Sequence, residues 1–193
     1  MNAFTWNWAK SSTGDDILFI SSCINAALSD ELRWPSESER RISAQTIPGF
    51  DGCVGFIDGT LIAIRRSSNV ESDLPWYNGR KSMYCLINTV VIDHRGLFIY
   101  IDPGYPGSFH DVNCLRQSDL YKNWLRFFTH RNDYFEYLLG DPGYVGEKMF
   151  IMRRLGRREI PEDGDVEVID AFNAMHAGYR VRVEWGIGGL KRK

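Results

Sequence analysis

Only four cysteines stand in this chain, Cys23, Cys53, Cys85 and Cys114, and none forms a Cys-x-x-Cys pair. That excludes a zinc knuckle and a dense disulfide framework, and leaves reduced thiols in an intracellular protein as the simplest reading. No apolar run approaches the roughly 20 residues of a membrane-spanning helix. Phe19, Ile20 and Cys23 make a short apolar patch, but no basic leader precedes a long apolar run, so no signal peptide is expected. Charge of one sign is also lacking: 23 Lys and Arg stand against 25 Asp and Glu, a net of −2 and a pI of about 6.1. That total counts against a free-standing DNA binder. Internal repeats and low-complexity linkers are absent.

What is present is apolar content of 44% with 13% aromatics over 193 residues, enough for one domain with a real core. The charge is unevenly spread. Residues 148–193 carry ten Lys or Arg against seven Asp or Glu, whereas residues 1–50 carry four against six. The basic surplus includes the cluster Arg153, Arg154, Arg157 and Arg158 and the closing Lys191-Arg192-Lys193.

The patterning predicts a loose start over residues 1–14, then a helix over Ile17–Leu28 capped by Asp15 or Asp16, with Ile17, Ile20, Ile24 and Leu28 on one face. Ser36 with Glu39 three residues on predicts a capping box opening a second short helix. Cys53–Asp58 reads as a buried strand ending in Asp58-Gly59, with Leu61–Ile64 as its partner strand. Met83–Ile92 and Leu97–Ile101 read as a central hairpin around Asp93-His94-Arg95-Gly96. Asp111 follows a Gly/Pro loop and opens short helices over 112–117 and 119–128. Tyr134–Leu139 is the next strand, ending in Gly140-Asp141-Pro142-Gly143-Tyr144. Val145–Arg153 reads as a turn with a short helix, Glu159–Asp165 as an acidic exposed loop, and the remainder as a terminal helix.

Each acid has an ordinary explanation: an Asp-Gly hairpin turn for Asp58, a helix N-cap for Asp111, a tight turn for Asp141. On the terminal helix Arg180 lies four residues before Glu184 and Lys191 seven after it. At about 100° per residue these three share a face, about 40° and 20° from one line. A surface salt-bridge stripe would use that spacing, and so would a metal-and-phosphate site. Hairpin strands, a helix, a strand and a terminal helix are the element order of an α/β ribonuclease H-like fold, a mixed sheet flanked by helices, where strand-end and helix acids converge. Converging carboxylates repel unless a cation sits among them, and Mg²⁺ or Mn²⁺ prefers such oxygen donors.

With these motifs the sequence resembles the Harbinger-type DDE transposases, the DDE superfamily endonucleases. The resemblance rests on Val54–Thr60, Pro106–Asp111, Leu139–Tyr144 and Phe172–Lys191, and covers roughly residues 34–193. It implies a divalent-metal nuclease that cuts and joins DNA. Asp58, Asp141 and Glu184 would be the catalytic acids and metal ligands, Asp111 a further metal-site acid, and Arg180 and Lys191 would contact DNA phosphates or orient Glu184. It further implies double-stranded DNA as partner, a separate DNA-binding or import adaptor protein, room for an oligomer, and action in the nucleus of a eukaryotic host.

The chain departs from the family pattern in places. Pro142 stands where Ser is common, Ala177 where Ser or Tyr is common, and only about fifty residues precede Asp58. Gly186, Gly188 and Gly189 are expected to fray the last turn at about 1 kcal/mol each. A helical N-terminal extension over 1–50 followed by a C-terminally truncated nuclease domain over 51–193 is the expected layout. The alternative is an inactive, domesticated or truncated relative acting as a DNA- or protein-binding module. A purely structural protein, with its acids scattered as caps and turns, is the third.

Overall fold

The computed structural model describes residues 10–66, 73–131, 133–144, 150–160 and 164–192. The chain forms two compact units, up to Arg33 and from Trp34 onward. The first contains helix α1 (Lys10–Ala27). It begins before the expected Asp15 or Asp16 cap, so residues 10–14 are helical and not loose; residues 1–9 lie outside the described ones. Ile17, Ile20, Ile24 and Leu28 are all exposed, and Leu18 and Phe19 with them.

The second unit opens with Trp34, whose indole N–H donates to the Phe127 carbonyl at 2.6 Å. Helix α2 (Glu37–Thr46) starts at the expected capping box: the Ser36 N–H donates to the Glu39 carboxylate at 2.8 Å, and the Ser36 hydroxyl accepts the Glu39 N–H. This helix, assigned to the N-terminal extension by sequence, packs its buried Ala44 into the core beneath the sheet.

Strand β1 (Cys53–Ala63) is the centre of the sheet. The expected break at Asp58-Gly59 does not occur. Both halves of β1 pair with the same long partner, β3 (Met83–Ile92), from Phe56 opposite Ile92 to Ala63 opposite Cys85. An Asp-Gly turn needs the flanking segments to pair with each other, and the ten-residue β3 outcompetes that local hairpin. On the far edge of β3 lie β2 (Tyr77–Asn78) and β4 (Phe98–Pro106), which runs further into the Gly/Pro segment than its sequence suggests.

After β4 come helices α3 (Asp111–Gln117), α4 (Asp119–Lys122) and α5 (Trp124–Phe127). A small hairpin of β5 (His130–Arg131) and β6 (Tyr134–Phe135) follows. The strand expected over Tyr134–Leu139 is therefore divided, and its buried part is β7 (Tyr137–Gly140), parallel to β1. Strand β8 (Ile151–Arg153) adds in parallel to β7, where a helix was expected; residues 145–149 of that segment lie outside the described ones. The expected acidic loop is partly outside them too, and its described end, Asp165, caps helix α6 (Val166–Lys191) through its carboxylate.

The sheet is thus mixed, antiparallel across β4, β3 and β1, and parallel across β1, β7 and β8, with helices on both faces. One face packs Val54, Ile57, Val91 and Leu138 against Leu115, Leu120 and Phe128. The other packs Phe56, Ile92 and Leu139 against Val183, with Tyr179 and Ile187 beside it. Strands buried on both sides explain the near-continuous apolar runs of β1 and β3.

The last turn of α6 does not fray. Val183 and Ile187 anchor it to the sheet, Arg182 donates to the His94 carbonyl at 2.8 Å, and the Arg192 N–H closes onto the Gly188 and Gly189 carbonyls. Tertiary packing outweighs the glycine propensity here. Among the described residues no helix is long and apolar enough to cross a membrane.

Candidate functional site

Asp58 and Asp141 meet because of strand register. The last parallel pair of β1 and β7 is Phe56 opposite Leu139, and each acid lies two residues further along its chain, Asp58 within β1 and Asp141 just past the end of β7. Asp141 keeps its expected turn: its carboxylate accepts the Gly143 N–H at 2.7 Å. Asp111 arrives from the other side, as the first residue of α3. His110 occupies the cap position, and its side chain makes no capping bond among the described residues. The Asp111 side chain lies over Gly59, so close that a Cβ on Gly59 would overlap its carboxyl. Gly59 is therefore the gap in β1 that admits the third acid.

The three acids feel one another. Burial chiefly pushes the Asp58 carboxyl up to about 6; Arg180 and the Gly59 N–H resist, and the charges of Asp141 and Asp111 push further. Asp111 is also raised, by burial first and then by Asp141, against the opposing charges of Arg80, His110 and Arg180. Tyr144, fully buried below, has its phenol pushed far up by burial and then by Asp111, Asp58 and Asp141. Its hydroxyl has no hydrogen-bond partner among the described residues.

Arg180 of α6 is the cation of the cluster. One terminal nitrogen donates to Asp58 Oδ2 at 2.9 Å and lies 3.8 Å from Glu184 Oε1. Two oxygens that close to one nitrogen lie on the same side of the sheet edge, so Glu184 joins the neighbourhood through Arg180. It remains exposed, while Arg180 is half-buried and its Nε has no hydrogen-bond partner among the described residues. Lys191 is not brought to the acids. It is exposed in the last turn of α6, and its charge acts on the Cys85 thiol.

The donor chemistry suits a hard divalent cation: carboxylate oxygens, mutually repelling, with a buried unpaired hydroxyl beneath. Among the described residues no three His, Cys, Asp or Glu side chains are arranged to hold one ion. Mg²⁺ requires less, because it keeps several waters and takes one or two carboxylates. Asp111 and Asp141 offer that, with Asp58 engaged by Arg180.

Sequence reasoning did not find Gly59, Arg80 or Tyr144 as members of the site. Tyr144 lay in the open, three residues after Asp141. Arg80 carried no signal, since only the fold brings its turn beside Asp111.

The profile of the DDE superfamily endonucleases matches residues 57–193, about seven-tenths of the chain. The chain belongs to this family. The match takes in Asp58, Asp111, Asp141 and Glu184, and it bears out the Harbinger-type resemblance. Among relatives, Protein ALP1-like of Arabidopsis thaliana is 29% identical over 136 residues, covering 65% of this chain and 33% of its own length. HARBI1 of Homo sapiens, whose name carries the word nuclease, is 30% identical over 117 residues, covering 61% and 31%. HARBI1 of Rattus norvegicus is 36% identical over 74 residues, covering 38% and 20%. The chain thus spans a third or less of the length of these relatives. No solved structure matches it.

Proposed function

We propose that this chain is the catalytic domain of a divalent-metal-dependent DNA endonuclease or transposase with a ribonuclease H-like fold. The observation that carries the reading is the convergence of Asp58, Asp111 and Asp141 at one sheet edge, where burial first, and the neighbouring acids after it, push the Asp58 carboxyl up to about 6. A stable framework does not gather three carboxylates at one half-buried sheet edge without a use for them. The antiparallel-then-parallel strand order supports the fold assignment.

When bound, Mg²⁺ or Mn²⁺ supplies the charge that activates a water or 3′-hydroxyl and steadies the leaving oxygen of a phosphodiester. Asp111 and Asp141 are the residues proposed to hold it, with Asp58 and Glu184 kept beside them through Arg180. Gly59 leaves room for the Asp111 carboxyl. Arg180 sets the Asp58 carboxylate and offers a donor to a phosphate oxygen, and Lys191 is a more distant phosphate contact that positions DNA without reading it. A separate DNA-binding or import adaptor, nuclear action and an oligomer accompany this proposal.

The test is Mn²⁺-dependent nicking of supercoiled DNA. Wild type cuts, and Asp58→Asn and Asp141→Asn do not; equal nicking by all three overturns the proposal. One observation favours the second reading, a non-catalytic DNA- or protein-binding module: Arg180 already neutralises Asp58 at 2.9 Å. That module would melt at the same temperature with and without Mn²⁺.

A further inference from the structure

A cavity of about 460 Å³ opens beside Asp111. Gly59 and Asp111 form its inner wall, Leu61, Ile87 and Phe109 line it with apolar surface, and Arg80 and Lys81 stand on the β2–β3 turn at its rim. Its walls are tied together. The Asn78 amide donates to the Gly107 carbonyl at 2.8 Å and its oxygen accepts the Lys81 N–H at 3.0 Å. Gly107 is pressed against the Trp76 and Cys85 carbonyls, with no room for a side chain. The Ser108 N–H donates to the Pro75 carbonyl at 3.0 Å. The cavity is therefore pre-formed. Arg80 and Lys81 are exposed, and among the described residues neither makes an ion pair.

The geometry points to a seat for one unstacked nucleotide of the DNA strand that carries the bond to be cut, its phosphate on Arg80 and Lys81 and its base against Phe109, Leu61 and Ile87. The volume lies within the range of about 300–1,000 Å³ typical of small-ligand sites, and does not admit a duplex. Cations beside an aromatic wall are how proteins hold single strands. The acid at the inner wall places the reacting phosphate next to the seated one. This inference rests on the nuclease proposal for its orientation, and it adds that the substrate is partly unpaired at the site.

The test compares binding, without added metal, of two labelled duplexes of equal length, one blunt and one with a short single-stranded overhang. Fluorescence anisotropy is read for wild type, Arg80→Gln/Lys81→Gln and Arg80→Lys. Wild type is expected to prefer the overhang about tenfold. The double variant should lose that preference and lower the salt slope by about 1 to 2, with blunt binding changed less than twofold. Arg80→Lys should keep most of the preference. Equal binding of both probes by wild type, or an unchanged preference in the double variant, overturns the seat. Nicking in the same preparations separates the two claims. Asp58-dependent nicking without overhang preference removes the seat alone. Overhang preference without Asp58-dependent nicking removes the nuclease proposal and supports the seat as a strand-binding site.

Discussion

Strand β7 has a carboxylate just outside each end, and the protein treats the two in opposite ways. Glu136, before the strand, is completely buried and completely answered. Arg40 Nε donates to it at 2.7 Å and the Thr129 N–H at 2.7 Å, while the rest of the Arg40 guanidinium is used by the Pro35 carbonyl and the Thr129 hydroxyl. One anion meets one cation, with every neighbour satisfied. Asp141, after the strand, belongs to a group of three acids in which Arg180 pairs with Asp58 and also lies near Glu184, while the charge of Arg80 acts on Asp111. The first arrangement ties α2 and the α5–β6 region to the sheet. The second gathers like charges at one half-buried edge, a place where a bound cation would be stabilising.

That contrast is breakable by mutation. The largest effect is expected on chemistry: Asp58→Asn or Asp141→Asn should lower Mn²⁺-dependent nicking by about 10³-fold or more, read as initial rates. Glu136→Ala should instead cost about 3–5 kcal/mol of stability in urea melts, because it strands Arg40 in the interior, and Mn²⁺ should not repair it. Gly59→Ala sharpens the comparison from the backbone side. By pushing Asp111 out of the gap it should slow nicking by about 10²-fold.

Smaller effects follow without metal. Asp111→Asn removes one of the repelling charges and should raise stability by about 1 kcal/mol, a gain with lost activity. The pH dependence has a definite sign. The Asp58 carboxyl stands near 6 in the folded chain against an ordinary 3.8. Below about pH 4 it is protonated in both states and costs nothing. Between about 4 and 6 the folded state holds the proton that the unfolded chain releases, so stability falls as pH rises. Melting curves of wild type across that window should show a steeper fall than those of Asp58→Asn.

Local signals were legible in the sequence where they were self-contained. The Ser36–Glu39 capping box, the β3 strand and the Asp141 turn each depend on residues a few positions apart. The joining of Asp58 and Asp141 was readable from the order of elements, and that of Asp111 only through the family motif, since no local periodicity links residues that far apart. The Asp58-Gly59 segment looked like a turn and is continuous strand, because its partner lies about thirty residues away. The Arg40–Glu136 pair, 96 residues apart, and the position of Arg80 beside Asp111 had no sequence signature at all. Both are products of the sheet order.

Titration of Mn²⁺ against the chain, followed by the paramagnetic resonance signal of the free ion, tests the carboxylate cluster most directly. Wild type should remove Mn²⁺ from solution with saturable stoichiometry, Asp141→Asn should remove little, and a Glu136→Gln chain that remains folded should match wild type. Wild-type uptake by Asp141→Asn, or none by wild type, would contradict the account.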